Sequence, residues 1–330
     1  MAELRVSLAC CDYDRCRALF DGRVAIEGCE VYPAALEPEE CFHRAFKYQE
    51  FDISELSLSS HTMTCAQGTN AYVGVPAFVS RLFRHAGIYI RTDRGIERPE
   101  DLAGKTVGLP EYQITANVWI RGILSDEYGV DVSDVRWRSG GLEEPGRSER
   151  APLELSPHID LQPIPGDRTL SQMLEAGELD GVIGARAPSC FVRGAPGIAR
   201  LFPDVRAAEE SYYERTGIFP IMHLIGIRRS LAERHPWLAV SVLKAFEEAK
   251  RLAMAELAQI GHLYVSLPWS VIERDRTAAL MGENFWAYGI DDNRHVLEVF
   301  LRYHCEQGLS KRRLSPEELF APSTLELSKI

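Results

Sequence analysis

Arg15 and Arg186 each stand in a polar corner that follows a buried run, Cys11-Asp12-Tyr13-Asp14-Arg15 and Gly184-Ala185-Arg186-Ala187-Pro188. A guanidinium offers a planar fork of N–H donors that matches the two oxygens of a carboxylate, a geometry lysine does not reproduce. Two further corners have the same form, Ser57-Leu58-Ser59-Ser60-His61 and Glu111-Tyr112-Gln113-Ile114-Thr115. In these, Ser59, Ser60 and Thr115 stand where helices begin, so their hydroxyls cap a helix and the same end can hold an anion. The chemistry this pattern suggests is capture of a small acidic molecule. The ordinary alternative for either arginine is a surface salt bridge, and for the hydroxyls a simple cap.

The elements that position these corners are clearest in PEDLAGKTVGLPEYQITANVWIRGIL, residues 99–124. Asp101-Leu102 forms a helical turn stopped by Gly104, Thr106–Leu109 a short buried strand, and Pro110 ends that strand before the polar corner. A helix follows with Thr115 in or just before its first turn, presenting unpaired N–H groups and the positive end of its dipole to the corner. Elsewhere strands are expected at 4–9, 29–33, 51–53, 135–138, 180–184 and 222–228, with extended segments at 71–78 and 85–91. Helices are expected at 37–48, 61–67 and 166–179, with Arg15–Asp21 a short helix or loop. Residues 54–60 read as the exit of the 51–53 strand. Glu143–Ser156, rich in Glu, Arg and Pro without periodicity, reads as a surface excursion. From Leu231 the pattern is helical, with further helices over 271–288 and 291–305. Alternating strands and helices with short connections favour mostly parallel sheets, whose ligand sites lie at the carboxyl ends of strands.

Composition sets the class. The 330 residues are 45% hydrophobic and 26% charged, enough for two α/β lobes with their own cores. A net charge of −11 argues against nucleic acid or an anionic membrane as partner, so the positive charge that meets an acidic ligand must be gathered locally. The start MAELRVSLACCDYDR lacks the basic segment and apolar run of an export signal, so a cytoplasmic chain is expected. Eight cysteines without a C-x-x-C pair read as reduced thiols, and their spacing argues against a structural zinc site. No phosphate-cradling glycine loop or pyridoxal lysine site is legible, so no nucleotide, flavin or pyridoxal cofactor is expected.

The segment PEDLAGKTVGLP resembles the opening of the second lobe in type II periplasmic-binding-protein folds. CDYDR, YQEFDISELSLSSH, SRLFRHAGIYI, PEYQITANVWIRGIL, GARAP and FPIMH together resemble the 4,5-dihydroxyphthalate decarboxylase family over roughly residues 5–230. The resemblance implies a two-lobe α/β fold with mostly parallel sheets and a ligand cleft between lobes. The first lobe is then 1–91 and 220–330, carrying C-terminal buttressing helices, and the second is 92–219. It also implies a decarboxylase that converts a hydroxylated aromatic dicarboxylate, most simply 4,5-dihydroxyphthalate, to protocatechuate. Of nine histidines, His61, His85 and His223 fall inside these motifs, and histidine is suited to proton transfer near neutral pH. His223 is the expected proton donor, and Asp14 or His61 the base for the phenol. Arg15 and Arg186, helped by Ser59, Ser60 and Thr115, are expected to hold carboxylates, with Tyr112 packing on or hydrogen-bonding the ring. Two alternatives stay open: a non-catalytic binding protein for an aromatic acid, and an enzyme for another acid using a divalent metal held by Asp12, Asp14, His61 and His223. A homo-oligomer is compatible with all of these.

Overall fold

Short apolar runs, each closed by a polar corner or a glycine, set the strands. In the computed structural model, which describes residues 3–325, these are β1 (Leu4–Cys10), β2 (Cys29–Ala35), β3 (Ile53–Ser57), β4 (Tyr72–Arg81), β5 (Ile88–Arg91), β6 (Thr106–Leu109), β7 (Arg136–Ser139), β8 (Leu161–Pro163), β9 (Gly181–Ile183), β10 (Ile198–Arg200) and β11 (Ile221–Arg228). The helices between and after them are α1 (Asp14–Phe20), α2 (Pro38–Tyr48), α3 (Leu58–Gln67), α4 (Thr115–Tyr128), α5 (Leu170–Ala176), α6 (Ser189–Val192), α7 (Val205–Thr216), α8 (Arg229–Arg234), α9 (Leu238–Leu257), α10 (Ser270–Met281) and α11 (Arg294–Glu306).

The chain divides into two compact units. One comprises the residues up to Arg81, Ile221–Glu298 and those from Leu314 on; the other comprises Leu82–Pro220 and Val299–Arg313. The first unit is built on a five-stranded sheet ordered β2-β1-β3-β11-β4, the second on a six-stranded sheet ordered β10-β5-β9-β6-β7-β8. In the second sheet β9, β6, β7 and β8 are parallel neighbours, and β5 and β10 add antiparallel pairs. In the first, β2, β1 and β3 run parallel, and β11 enters antiparallel between β3 and β4. The antiparallel pairings in both sheets are thus those of the strands that carry the chain from one unit to the other.

Local chemistry corrects several expected boundaries. The strand expected at 51–53 runs instead over Ile53–Ser57 and is buried throughout, because Ser54 and Glu55 find partners inside the sheet. The helix expected at 166–179 shrinks to Leu170–Ala176: Thr169 and Gln172 form a reciprocal capping box at its start, and Gly177 in the left-handed region ends it. Residues 82–91 were expected in the first lobe, but β5 pairs with β9 and β10 of the second sheet. Residues 299–313 also belong to the second unit, where Phe300 and Tyr303 pack on the buried Trp119 of α4. Between Ser139 and Leu161 no helix or strand forms, as the sequence suggested.

The junction of α4 and α11 depends on one close approach. A Cβ on Gly122 would lie 2.1 Å from Cδ2 of the Tyr303 ring, and that ring is fixed because its hydroxyl donates to Asp126 at 2.6 Å. Gly122→Ala is therefore expected to destabilise the protein by about 1–3 kcal/mol, read as a lowered urea midpoint; an unchanged midpoint would show that the ring yields freely.

Candidate active site

The carboxyl ends of β1 and β3 lie side by side, with Ala9 in register with Ser54, and the antiparallel β11 brings its first residues to the same edge, with His223 opposite Ser57 and Ile225 opposite Glu55. Glu55 and His223 are diagonal neighbours on one face of this pair, a spacing that long side chains span. The β11–β4 register shifts on either side of His223, an irregularity of the kind that re-aims a side chain within a sheet.

Glu55 is the organising group. It is fully buried, and its carboxylate accepts three hydrogen bonds: the His223 ring from Nδ1 at 2.6 Å, the Tyr13 hydroxyl at 2.8 Å and the Cys11 backbone N–H at 2.9 Å. Burial pushes this carboxyl up, but the bond and charge of His223 together with the Cys11 and Tyr13 donors outweigh it and hold the group below its ordinary value. Tyr13 moves the other way, its hydroxyl raised by burial and by the Glu55 charge. With Nδ1 donating to Glu55, the His223 tautomer is fixed and Nε2 is left to give or take a proton. Phe42 packs its ring edge-on against the imidazole at 4.7 Å.

Arg15 stands one turn of chain away, its guanidinium 4.2 Å from the Tyr13 ring and 4.1 Å from the Trp286 ring. Nε donates to the Val79 carbonyl at 2.6 Å and Nη1 to Asp14 at 3.0 Å. The cation is stacked and anchored on one edge, which leaves Nη2 available for a ligand oxygen. Asp14 uses Oδ1 for Arg15 and is about one-third exposed.

Not every expected residue joins this group. His61 is fully buried; Nε2 donates to the Leu319 carbonyl at 2.8 Å, and burial pushes the ring down to about 4. That places it in the core as a neutral ring, which removes it as the base for a phenol. The cap of α3 is Ser57, which accepts from Ser60 N–H at 3.5 Å, whereas Ser59 is buried within the helix and Ser60 is partly buried. Tyr112 is also buried: its hydroxyl donates to the Gln307 carbonyl at 3.0 Å and the Arg121 guanidinium covers its ring at 3.8 Å, so that ring has no face for a ligand. Thr115 is the buried first residue of α4, behind Ile114 at the cap position. Arg186 is exposed in the corner after β9, and among the described residues it makes no ion pair. Among the described residues no group of three or more His, Cys, Asp or Glu side chains is placed to hold a metal ion. The set of Asp12, Asp14, His61 and His223 does not converge, since Asp12 pairs with Arg17 and His61 faces Leu319.

Glu55 went unmarked in the sequence because the expected strand ends at residue 53, four residues short of its end at Ser57. The signal was present as an acid between Ile53 and Leu56 in a run that proves buried at every position.

The fold and these corners define an α/β binding-protein architecture. Its solved neighbours include the periplasmic aliphatic-sulphonate-binding protein SsuA of Escherichia coli, with a TM-score of 0.53 and 14% identity over 98% of this chain and 99% of that one. Another is a putative sulfonate-binding SsuA of Methylobacillus flagellatus, with a TM-score of 0.54 and 13% identity over 99% and 94%. No protein-family model matches. Over 330 residues, the whole of both chains, the sequence is 48% identical to a 4,5-dihydroxyphthalate decarboxylase of Comamonas testosteroni. It is 49% identical over 213 residues, 64% of this chain and 83% of the other, to a 4,5-dihydroxyphthalate decarboxylase of Pseudomonas putida. The chain belongs to the 4,5-dihydroxyphthalate decarboxylase family. Among the described residues no helix is long and apolar enough to cross a membrane.

The neutral core histidines give a test of these placements. His85, in the second unit, is buried between Phe202 and Tyr212 with both ring nitrogens unpaired, and burial pushes it down to about 4, as for His61. For a histidine whose folded pKa lies below its unfolded 6.5, the unfolded chain binds the extra proton, so stability is full above about 6.5 and falls as pH drops toward 4. The unfolding free energy should decrease by about 2 kcal/mol per such histidine between about pH 7 and pH 5. His85→Phe should remove one share of that slope in urea titrations; an equal slope in the variant assigns the effect elsewhere.

Proposed function

We propose that this chain is a carboxy-lyase that removes one carboxylate from 4,5-dihydroxyphthalate, giving protocatechuate and carbon dioxide, with His223 delivering the proton. Family membership supports the substrate, and relatives named as decarboxylases favour catalysis over simple binding. The observation that carries the chemical assignment is the 2.6 Å pair of His223 with the buried Glu55 at the carboxyl edge of β3.

In this substrate each carboxylate has a hydroxyl para to it. Asp14, through the oxygen not engaged by Arg15, accepts the proton of that hydroxyl, and electron density moves onto the ring carbon that bears the carboxylate. His223 then transfers the Nε2 proton to that carbon. The carbon–carbon bond to the carboxylate breaks, its electron pair restores the aromatic ring, and carbon dioxide leaves. The phenolic oxygen recovers its proton from Asp14, and His223 is reprotonated by water, so one proton is consumed per turnover. Glu55 offsets the positive charge of the imidazolium before transfer and holds the ring in one tautomer, the role a buried carboxylate plays beside a general acid–base histidine. Every step is supplied by side chains and the substrate's own hydroxyl, so the reading calls on no organic cofactor. Arg15 holds a carboxylate with its pinned guanidinium. A cytoplasmic location accompanies this reading, supported by eight free cysteines, a pattern reducing compartments maintain.

The direct experiment incubates chelator-treated protein with 4,5-dihydroxyphthalate and follows carbon dioxide and protocatechuate. His223→Ala and Glu55→Gln should each lower kcat by roughly 10²–10⁴-fold while substrate affinity changes only a few-fold. Normal turnover in His223→Ala would remove that residue as the donor.

A separate prediction concerns Arg15. Lysine keeps the charge but cannot fill the slot between Tyr13 and Trp286 or present a fork, so Arg15→Lys should weaken substrate binding by about 1.5–3 kcal/mol. A KM within twofold of the parent enzyme takes Arg15 out of the binding site.

A further inference from the structure

The corner before α4 has the amides and dipole expected to attract an anion, and one of the chain's own carboxylates lies on it. Glu149 accepts the Tyr112 backbone N–H at Oε1, 2.5 Å, and the Gln113 side-chain amide at Oε2, 3.1 Å. It comes from the loop between β7 and β8, whose near end is tied down by Glu143, which accepts the Ser189 N–H at 2.7 Å and hydroxyl at 2.6 Å. Glu149 is poorly placed for a permanent charge: burial pushes its carboxyl up, the Tyr112 and Gln113 donors offset part of this, and the charge of Glu111 pushes it up again.

A second feature of the corner, on α4 and not on the loop, also calls for an anion. The Arg121 side chain is buried under Tyr112, donating from Nη2 to the Tyr112 carbonyl at 2.7 Å and from Nε to Gln307 at 2.9 Å, while Nη1 has no hydrogen-bond partner. A buried guanidinium with an unpaired N–H and no carboxylate bonded to it is costly. Glu111, the acid that opens the corner, is already taken by Arg147 and Arg150.

We infer that the Tyr112–Gln113 corner is a carboxylate-binding subsite, that Glu149 occupies it in the ligand-free chain, and that a carboxylate of an aromatic dicarboxylate exchanges with Glu149 and releases the loop over residues 143–156. This rests on the reading of the ligand as an aromatic dicarboxylate. The exchange replaces one carboxylate by another, so the donors at the corner keep a partner throughout. Glu149 acts as a tethered competitor, lowering apparent affinity in proportion to the fraction of time it holds the corner.

The test uses phthalate, which carries both carboxylates and no hydroxyls, with its uncharged diamide as control. Amide hydrogen exchange in residues 143–156 of the unmodified protein should speed up roughly 10-fold with saturating phthalate and stay unchanged with the diamide. Calorimetry should show phthalate binding roughly 3- to 10-fold tighter to Glu149→Gln than to the parent. Exchange that is unchanged or slowed when phthalate is bound overturns the inference, as does a complete lack of phthalate binding. If Glu149→Gln does not fold, the exchange measurement on the unmodified chain decides alone. A decarboxylation assay on the same preparation separates the two readings: turnover with a static loop removes the subsite and leaves the reaction, whereas loop release without turnover of 4,5-dihydroxyphthalate removes the reaction and leaves the subsite.

Discussion

A carboxylate buried in a β-sheet is tolerable only when donors meet it, and the first unit of this protein is arranged so that three do. Glu55 draws one donor from the backbone just past β1, one from Tyr13 and one from His223, whose position in sequence lies 168 residues away. Each of these fixes something else. The Cys11 amide sets where the chain leaves β1, Tyr13 offers its ring to one face of the Arg15 guanidinium, and His223 is left with a single free nitrogen. Removing any of the three leaves part of a buried charge unsatisfied, a cost of several kcal/mol, so the pattern that orients His223 also belongs to the stability of the sheet.

The antiparallel entry of β11 makes this possible. In a purely parallel sheet the carboxyl edge is furnished only by strand exits, so every group there comes from a loop. Here β11 runs the other way between β3 and β4, and its beginning lies at that edge. His223 is therefore held within the sheet, not on a loop, and its ring is clamped by Glu55 on one side and the edge of Phe42 on another. A group placed on a rigid element loses little freedom when substrate arrives, an advantage for a proton transfer that depends on geometry to a fraction of an ångström.

Much of this was legible from residue types alone. Apolar runs marked most of the strands, the corners at their ends included Arg15 and His61, and the glycine and proline stops around residues 99–115 were read at their true positions. What escaped was any feature that depends on a partner far away in sequence. Glu55 looked like the polar exit of a strand, because an acid in a buried strand makes sense only once Cys11, Tyr13 and His223 are beside it. His61 looked like a catalytic candidate for the converse reason: its motif position says nothing of the Leu319 carbonyl that engages its ring. Tyr112 was assigned to the substrate because the sequence does not show that Arg121 and Gln307 enclose it. The helix corner beside Tyr112 was read as attractive to an anion, and nothing in the order of residues says that Glu149, more than thirty positions on, lies against it.

Arg15 shows how an acidic chain can present positive charge to an anion. With a net charge of −11, the long-range field repels such a ligand, but at physiological ionic strength charges beyond a Debye length of ~8 Å are largely screened. What matters is the charge within hydrogen-bonding reach. Arg15 is stacked between Tyr13 and Trp286 and tethered to the Val79 carbonyl, so its fork is set before a ligand arrives and binding costs it little side-chain entropy. Asp14 neutralises part of that charge but takes only Nη1, leaving the rest of the fork directed by packing instead of by a counter-ion. Arg186 is the opposite case, exposed and free of acidic partners among the described residues. An anion that met it would first have to order a free side chain. A pinned guanidinium discriminates among acids of equal charge more strictly than a free one, because the angle and spacing of a carboxylate must match donors that the fold has already fixed.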